Sequence, residues 1–369
     1  MRASRLIISF ALSIVFLYLT FFIPRVGGWF AGEFGLGEAL FGQMRFDLAR
    51  LGSVIAACDW RPIAVAAVLF FTSQLLRAWR WEVMLAPMVR MRYWDVFGAM
   101  VIGYMANNLL PMRMGELYRA QVVHQIADIS RSAAFGAVVL ERVTDLLFMI
   151  PYMGLALVLF PLPGYLAKAA FVVGIIVLAI TGLFLWIVFD RARALSLMER
   201  VLKLLPQKAC RACMSLIEKF TSGLAVLGQS KHLWGISFSS LILWAMYGVM
   251  AYCVLDALGF THAGIEMIDR NPVGALLVIL MITTVGYVIP SAPGAVGTYH
   301  GVSVLGLTLL GVPGERAAGF AIVLHALNYI PLTVMGLIFF WRLGLSFRET
   351  SRLAEVADGA GQAAPGSSH

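Results

Sequence analysis

The chain has 369 residues, of which 60% are hydrophobic and 13% are charged, and its mean hydropathy is +0.85. Soluble domains are nearer half apolar and a quarter charged, so this composition excludes a soluble globular enzyme and a disordered protein. The formal net charge of +8 is best explained by basic residues in cytoplasmic loops, which set the orientation of membrane proteins, so we expect no nucleic-acid partner. The sequence therefore predicts an all-α polytopic membrane protein.

The first apolar run covers residues 6–23 and follows Arg2 and Arg5. It is longer than the core of a cleaved signal peptide and lacks a small-residue cleavage site, so we expect a retained transmembrane helix with a cytoplasmic N-terminus. Residues 33–58 are predicted to form an amphipathic segment on the outer face. Together these elements make residues 1–61 the first region of the chain.

Further spans of about 20 apolar residues are predicted at 62–82, 134–160, 166–189, 234–258, 272–289 and 318–341, and shorter broken ones at 95–111 and 297–312. The amphipathic loop 190–232 contains eight basic and three acidic residues, which places it in the cytoplasm. The loop can lie in the cytoplasm only if segment 95–111 does not cross the membrane but enters and leaves it on the same face. The pattern predicts about eight transmembrane helices, one or two re-entrant or broken segments, two cytoplasmic termini and a disordered tail at 342–369.

The two broken segments have a similar form. One contains Asn107 and Asn108 before Pro111, and the other contains Pro293, Gly294 and Gly297. Paired breaks predict an inverted repeat with halves 62–160 and 234–341 inside one domain, 62–341, and a binding site near the midplane. A helix that restarts at such a break offers free N–H groups, and glycine admits a close ligand, so phosphate is a suitable occupant. A simple kink or a packing glycine is the alternative.

Charged residues lie inside or beside the apolar runs, where they are costly and usually face an internal pathway or each other. We expect Arg142 and Asp145, three residues apart, to pair on one helix face. A purely structural ion pair, and interface anchoring of Arg77 and Arg80, are the alternatives. His300 follows the second break directly and is favoured over His325. The predicted substrate-binding residues are Arg77, Arg80, Asn107, Asn108, Arg113, Glu116, Arg119, Glu141, Arg142, Asp145, Pro293, Gly294, Gly297 and His300.

Motifs for other chemistry are missing from the sequence. No phosphate-binding loop with the pattern Gly-x-x-x-x-Gly-Lys-[Ser/Thr] and no zinc-protease or hydrolase motif occurs, and Cys210 with Cys213 forms one isolated pair where a zinc site usually has two. We therefore expect no ATP hydrolysis, no cofactor, no metal site and no catalytic residue.

Four motifs in this order resemble the flippase-like transmembrane region of lysylphosphatidylglycerol synthases, the lipid-translocating half of the multiple peptide resistance factors. They are Arg77-x-x-Arg80-Trp81, Asn108-x-x-Pro111-x-Arg113-x-Gly115-Glu116, Glu141-Arg142-x-x-Asp145 and Pro290-x-x-Pro293-Gly294-x-x-Gly297. The resemblance covers 62–341. Many members carry Glu where this chain has His300, which puts any proton coupling in question. Only a short tail follows, so we expect a stand-alone member without the aminoacyl transferase domain.

The resemblance implies that the chain flips or scrambles a lipid, or a lipid-linked intermediate, across the bacterial inner membrane without ATP hydrolysis. Its partners would be a phospholipid or a polyprenyl-type lipid, and a lipid-modifying partner enzyme and a homodimer are left open. One alternative is an integral-membrane transferase acting on a lipid carrier, with Glu141 and His300 as the acid/base pair. Another is a membrane subunit that docks such an enzyme through 190–232.

Overall fold

The computed structural model of the chain describes residues 35–41, 47–110, 114–160, 164–190, 230–260, 265–288 and 293–345, with isolated residues between 11 and 44 and between 193 and 199. Most of the predicted first span, the loop 190–232 and the tail lie outside these residues, and so does Arg113. The helices are α1 (Leu36–Phe41), α2 (Leu48–Ala56), α3 (Trp60–Leu85), α4 (Tyr93–Leu109), α5 (Gly115–Ile126), α6 (Arg131–Leu159), α7 (Gly164–Phe189), α8 (Ser230–Ala257), α9 (Glu266–Arg270), α10 (Pro272–Val288), α11 (Thr298–Leu309) and α12 (Gly314–Arg342).

Short polar residues fix where several of these helices begin, because their side chains accept hydrogen bonds from the free N–H groups of the first turn. The Asp59 carboxylate accepts from the Arg61 N–H at 2.9 Å before α3. Ser130 accepts from the Ala133 N–H at 3.2 Å before α6. Local capping residues thus determine where a helix begins within a long apolar run.

Within the described part of the chain, three helices are long and apolar enough to cross a membrane: Trp60–Leu85, His232–Ala257 and Gly314–Arg342. Helix α6 is as long as α12, at 29 residues, but it carries Glu141, Arg142 and Asp145. The protein is an all-α polytopic membrane protein, as its composition predicts.

The helices form an inverted repeat. Helices α3 to α6 have 26, 17, 12 and 29 residues, and α8, α10, α11 and α12 have 28, 17, 12 and 29. The equivalent helices α3 and α8 pack antiparallel: the Asp59 N–H donates to the Ala257 carbonyl at 2.9 Å, and Trp79 lies beside Gly235 at the other end. Because equivalent helices run in opposite directions, the two halves are inverted relative to each other.

Each half contains a helical hairpin with a break at its tip. Helices α4 and α5 pack closely, with Gly115 against Gly103, and α10 packs on α11, with Gly286 against Tyr299. A helix of 12 residues is about 18 Å long, which is less than the hydrocarbon core of about 30 Å. The segment 95–111 was predicted to turn back within itself, but it forms only the first arm of this hairpin, and the returning arm is α5, which the run of apolar residues did not reveal.

The segment 297–312 differs from the expectation, since it folds back along α10 instead of making a separate crossing. Replacing two crossings by one hairpin would leave the parity of the count unchanged, and the orientation of both termini stays a prediction. The sequence pattern missed the pairing because 272–289 taken alone is apolar enough for a full span.

Each hairpin packs against the long helix of the other half. Helix α4 lies on α12, where the Met105 side chain touches Gly336, and the Asn271 side chain before α10 bonds to the carbonyl of Leu159 at the end of α6. At the hairpin tips, the position of a Cβ on Gly294 is 3.4 Å from the Asn108 carbonyl oxygen. The two breaks consequently meet between the halves.

Candidate functional site

A cavity of about 530 Å³ lies where the two hairpin tips meet, and both halves line it. Its volume is in the range of small-ligand sites, about 300–1,000 Å³. The polar and aromatic lining residues are Gln74, Arg77, Tyr104, Asn107, Asn108, Glu116, Arg142 and Asp145 from the first half, and Trp244, Tyr247, Thr283, Thr284, Tyr287, Tyr299, His325, Asn328 and Tyr329 from the second. Gly294 at the second break also lines the cavity.

The carboxylate of Glu141 is the centre of a buried ion cluster behind this lining. Its Oε1 lies 3.2 Å from Arg77, 3.6 Å from Arg80 and 3.1 Å from Arg142, and its Oε2 accepts a hydrogen bond from Arg119. Its side chain is 0% exposed. One carboxylate is thus shared by four guanidinium groups drawn from three helices, α3, α5 and α6.

Asp145 lies one helical turn further along α6 and faces the cavity. It accepts from Arg77 at 2.8 Å and from Arg80 at 2.6 Å, while Arg142 is 3.8 Å away. The predicted pairing of Arg142 with Asp145 is therefore the weakest of the three contacts. The Arg142 guanidinium turns instead toward Glu141 and toward Glu116, which is 3.7 Å away on α5.

Arg77 and Arg80 belong to this cluster, so the alternative in which they anchor the helix at the membrane interface is wrong. Arg80 is fully buried and also donates to the Ser240 hydroxyl at 2.8 Å, which links the cluster to α8. The two arginines are three residues apart and share the face of α3 that meets α6. Sequence spacing shows the shared face but not the partner helix.

Aromatic rings hold the arginines in position. The Arg119 guanidinium lies over the Trp81 ring, 3.3 Å from its centroid, a cation–π contact that is strongest when desolvated. The Tyr104 hydroxyl donates to Glu141 at 3.3 Å and accepts from Arg142 at 3.4 Å. The arginines are therefore fixed from more than one side.

The first break is closed by its two asparagines. The Asn107 side chain accepts from the Gly115 N–H at 2.9 Å, so it caps the start of α5. The Asn108 amide donates to the Thr333 hydroxyl at 2.9 Å and to the Tyr329 carbonyl at 3.2 Å, both on α12. These amides join the hairpin tip to the other half of the molecule.

The second break needs glycine for its backbone conformation. Gly294 has φ +66° and Gly297 has φ +94°, and α11 begins directly after Gly297. Residues with a Cβ rarely adopt such angles. A Cβ on Gly294 would also lie 2.3 Å from the Tyr329 ring. Packing against Tyr329 therefore requires a glycine at position 294, whatever role this residue has as part of the cavity wall.

The two histidines differ in their position relative to the cavity. His325 lines the cavity, and its Nε2–H donates to the Gly294 carbonyl at 2.8 Å, which fixes the break to α12. The His300 ring packs against His325, with centroids 4.7 Å apart, and does not line the cavity. The helix that follows the break turns His300 behind the wall, which its closeness to the break in sequence does not reveal.

The predicted site residues thus fall into two layers. The cavity wall contains Arg77, Asn107, Asn108, Glu116, Arg142, Asp145 and Gly294; outside the lining are Arg80, Arg119, Glu141, Pro293, Gly297 and His300. The sequence analysis missed the aromatic residues Tyr104, Trp244, Tyr247 and Tyr287, because an aromatic residue in an apolar run looks the same in a cavity wall and in ordinary packing. The spacing of Tyr104 to Asn107, three residues on one helix, could have found the first of them.

These features define a polytopic membrane protein with inverted repeats, broken hairpins and an intramembrane cavity rich in arginine. The chain belongs to the family described as the lysylphosphatidylglycerol synthase TM region, which it matches over residues 6–336. The match begins within the predicted first span, further toward the N-terminus than the motifs alone indicate.

Three curated proteins show similarity to this chain. The glycosyltransferase AglD of Haloferax volcanii is 27% identical over 320 residues, which cover 79% of this chain and 50% of AglD. UPF0104 membrane proteins of Methanothermobacter thermautotrophicus and Methanocaldococcus jannaschii are 23% and 20% identical, and the matches cover 74% and 66% of this chain and 83% and 73% of those proteins. The chain thus spans half the length of AglD. No solved structure matches the chain.

Proposed function

We propose that the protein moves a lipid, or a lipid-linked intermediate, between the leaflets of the cytoplasmic membrane without ATP hydrolysis. The observation that carries this proposal is the charged cavity of about 530 Å³ enclosed between two inverted halves of an apolar protein. Ionisable groups at membrane depth are costly and mark substrate pathways. Inverted halves around one central site are the architecture on which alternating access works.

The geometry supports a division of roles among the charged residues. Arg77 and Arg142 face the cavity and can reach the phosphate of a headgroup, since guanidinium groups bind phosphate oxygens in pairs. Glu116 and Asp145 balance their charge when no lipid is bound. The buried Arg80, Arg119 and Glu141 hold this charged wall in position. Rocking of the halves against each other would then expose the wall to each leaflet in turn.

The transferase alternative has less support from the site. The acid/base pair predicted for it is Glu141 with His300, and neither residue lines the cavity. Glu141 is enclosed by four guanidinium groups, so both of its oxygens already have partners. The name of the Haloferax volcanii relative keeps a second candidate, a membrane subunit that serves a glycosyltransferase, as an outcome of the test below.

The test is reconstitution of the purified chain in lipid vesicles that contain a fluorescent phospholipid, with a membrane-impermeant quencher added outside. Exchange between leaflets in the absence of any partner, and without covalent change of the lipid, supports the proposal. Covalent turnover supports the transferase instead. Activity only after addition of a partner enzyme supports the docking subunit.

We expect Arg142→Gln and Arg77→Gln each to slow this exchange by about tenfold or more, since a hydrogen bond to a charged group contributes about 1.5–3 kcal/mol. The matched control is Arg50→Gln on α2, where the arginine is exposed and pairs with Asp47. Exchange rates and thermal stability would be measured on the same preparations. Equal rates for all three variants would remove the cavity from the transport path.

The orientation that accompanies this proposal places both termini and the loop 190–232 in the cytoplasm and the α8–α10 connection outside. In a variant without its four natural cysteines, we expect a cysteine at Asp269 to react with an impermeant maleimide in intact cells. Cysteines at Lys208 and Ser367 should react only after permeabilisation. Labelling of position 208 from outside would refute this topology.

A further inference from the structure

The cavity has two chemically different walls. Its charged lining residues, Arg77, Glu116, Arg142 and Asp145, all come from the first repeat. Among the described residues that line it, the second repeat contributes polar and aromatic groups but no Asp, Glu, Lys or Arg. We call these the charged wall and the neutral wall.

The contrast is positional as well as compositional. Arg142 and His325 each lie eleven residues after the first residue of their equivalent helices, at 131 and 314, and Asp145 and Asn328 each lie fourteen after it. The inverted repeat therefore sets a neutral polar residue opposite each of two charged ones. A ligand between the walls meets ions on one side and uncharged hydrogen-bonding groups on the other.

The charged wall and the residues behind it have a small excess of positive charge. Four arginines (Arg77, Arg80, Arg119, Arg142) meet three carboxylates (Glu116, Glu141, Asp145), which leaves one positive charge among the residues that the structure describes. The Nε atom of Arg77 is buried without a hydrogen-bond partner in the same set of residues. One added negative charge would neutralise the cluster, and Arg77, a residue of the charged wall, still has an N–H without a partner among these residues.

The neutral wall contains hydroxyl groups that call for partners. Tyr247 and Tyr287 line the cavity, and the hydroxyl group of each is buried without a hydrogen-bond partner among the described residues. Buried polar atoms are normally paired. Thr283, Thr284 and Asn328 donate to main-chain carbonyls, which leaves their oxygens to accept. Such a wall suits a group that both donates and accepts hydrogen bonds without carrying charge.

From these two walls we infer the class of cargo, an inference that rests on the proposed function. The cargo is a lipid with a single phosphodiester charge whose terminal group is neutral and hydroxyl-bearing, such as glycerol, inositol or a sugar. A phosphomonoester, with its second charge, leaves one negative charge unbalanced in a buried site. A terminal ammonium finds no carboxylate on the neutral wall, and burying a charge without a partner is costly.

The inference is tested by binding in detergent, without any transport step. Native mass spectrometry of the whole chain would compare dioleoyl lipids that differ only in headgroup: phosphatidylglycerol, phosphatidylinositol, phosphatidylethanolamine and phosphatidic acid. A short-chain hexosyl-phosphoprenol would separate a glycolipid source from a phospholipid source. We expect the phosphodiesters with hydroxylated headgroups to bind at least about tenfold more tightly than phosphatidylethanolamine or phosphatidic acid. Equal or tighter binding of either of the last two overturns the inference.

Two variants check the cause of the selectivity. Glu116→Gln removes one negative charge and so raises the net charge of the cluster by one. The Glu116 carboxylate is partly exposed (27%) and lies as far as 3.7 Å from its partner Arg142, so the fold should tolerate the change. It should shift the ratio of phosphatidic acid to phosphatidylglycerol affinity upward by about tenfold. Tyr287→Phe should lower affinity for the hydroxylated headgroups several-fold and leave phosphatidic acid unchanged. Glu315→Gln, at the start of α12, is the matched control and should change neither ratio.

An unchanged ratio in Glu116→Gln would refute the charge argument, and the wild-type series decides the question even if a variant does not fold. The outcome is also separable from the proposed function. Selective binding without leaflet exchange would refute transport and leave the site assigned. Exchange without this selectivity would keep transport and reject the cargo.

Discussion

Glu141→Gln is expected to lower the free energy of unfolding by roughly 3–5 kcal/mol, the cost of removing one partner from a buried ion pair. Four guanidinium groups lie within 3.6 Å of this carboxylate, which is shielded from solvent. Removing its charge leaves Asp145 as the main counter-charge for Arg77 and Arg80, and it leaves Arg119 without its acidic partner. The repulsion among the arginines then acts in a site where water cannot screen it.

The measurement is thermal unfolding in detergent, with lipid exchange followed in parallel. The double variant Arg119→Gln with Glu141→Gln restores the balance of charge and should recover much of the lost stability. Glu82→Gln on α3 is the control for the same chemical change at a half-exposed carboxylate. A stable Glu141→Gln variant, or a double variant no better than the single one, would show that the cluster is not held by Glu141.

Gly115→Ala is the second change with a large expected effect. A Cβ at this position would lie 1.9 Å from the Gly103 carbonyl oxygen and 2.6 Å from the Asn107 backbone nitrogen. Both atoms belong to the backbone of α4, so no side chain can move aside to relieve the clash. Helices α4 and α5 must separate, and the Asn107 cap on α5 would be lost with them. We expect a loss of about 3 kcal/mol or more, in the range of severe core disruptions.

Gly154→Ala on α6 is the matched control, because nothing lies within 4 Å of its Cβ position. Alanine is the better helix former, so this variant should be neutral or slightly more stable, by up to about 1 kcal/mol. Thermal unfolding of both variants gives the comparison. Equal stability of the two would mean that the first hairpin does not pack as closely as its backbone geometry implies.

Much of the fold could be predicted because its determinants are local. Apolar runs of membrane length identify the helices, and the paired Pro/Gly breaks identify both hairpin tips. The pairing of 297–312 with 272–289 could not be read in this way. It depends on contacts such as Gly306 with Ile282, and a run of apolar residues looks the same in a crossing and in a hairpin.

The site shows the same division. Glu141, Arg142 and Asp145 are conspicuous because charge is expensive in an apolar run, and the cost is visible without any partner. Their partners cannot be predicted from the sequence. Asp145 bonds to arginines 65 and 68 residues earlier in the chain, and helix periodicity gives no information about contacts at that separation. The position of His325, and not His300, in the cavity wall is likewise set by contacts between distant helices.

The confinement of the charges to one repeat has a consequence for biogenesis. The ion pairs of the cluster join residues between 77 and 145, all within α3 to α6. The chain emerges from its N-terminus, so these groups can neutralise each other before α8 is synthesised. The first repeat can therefore enter the lipid with its most costly side chains already paired. The second repeat, whose cavity lining is uncharged, then inserts against a first repeat whose charged side chains are already paired.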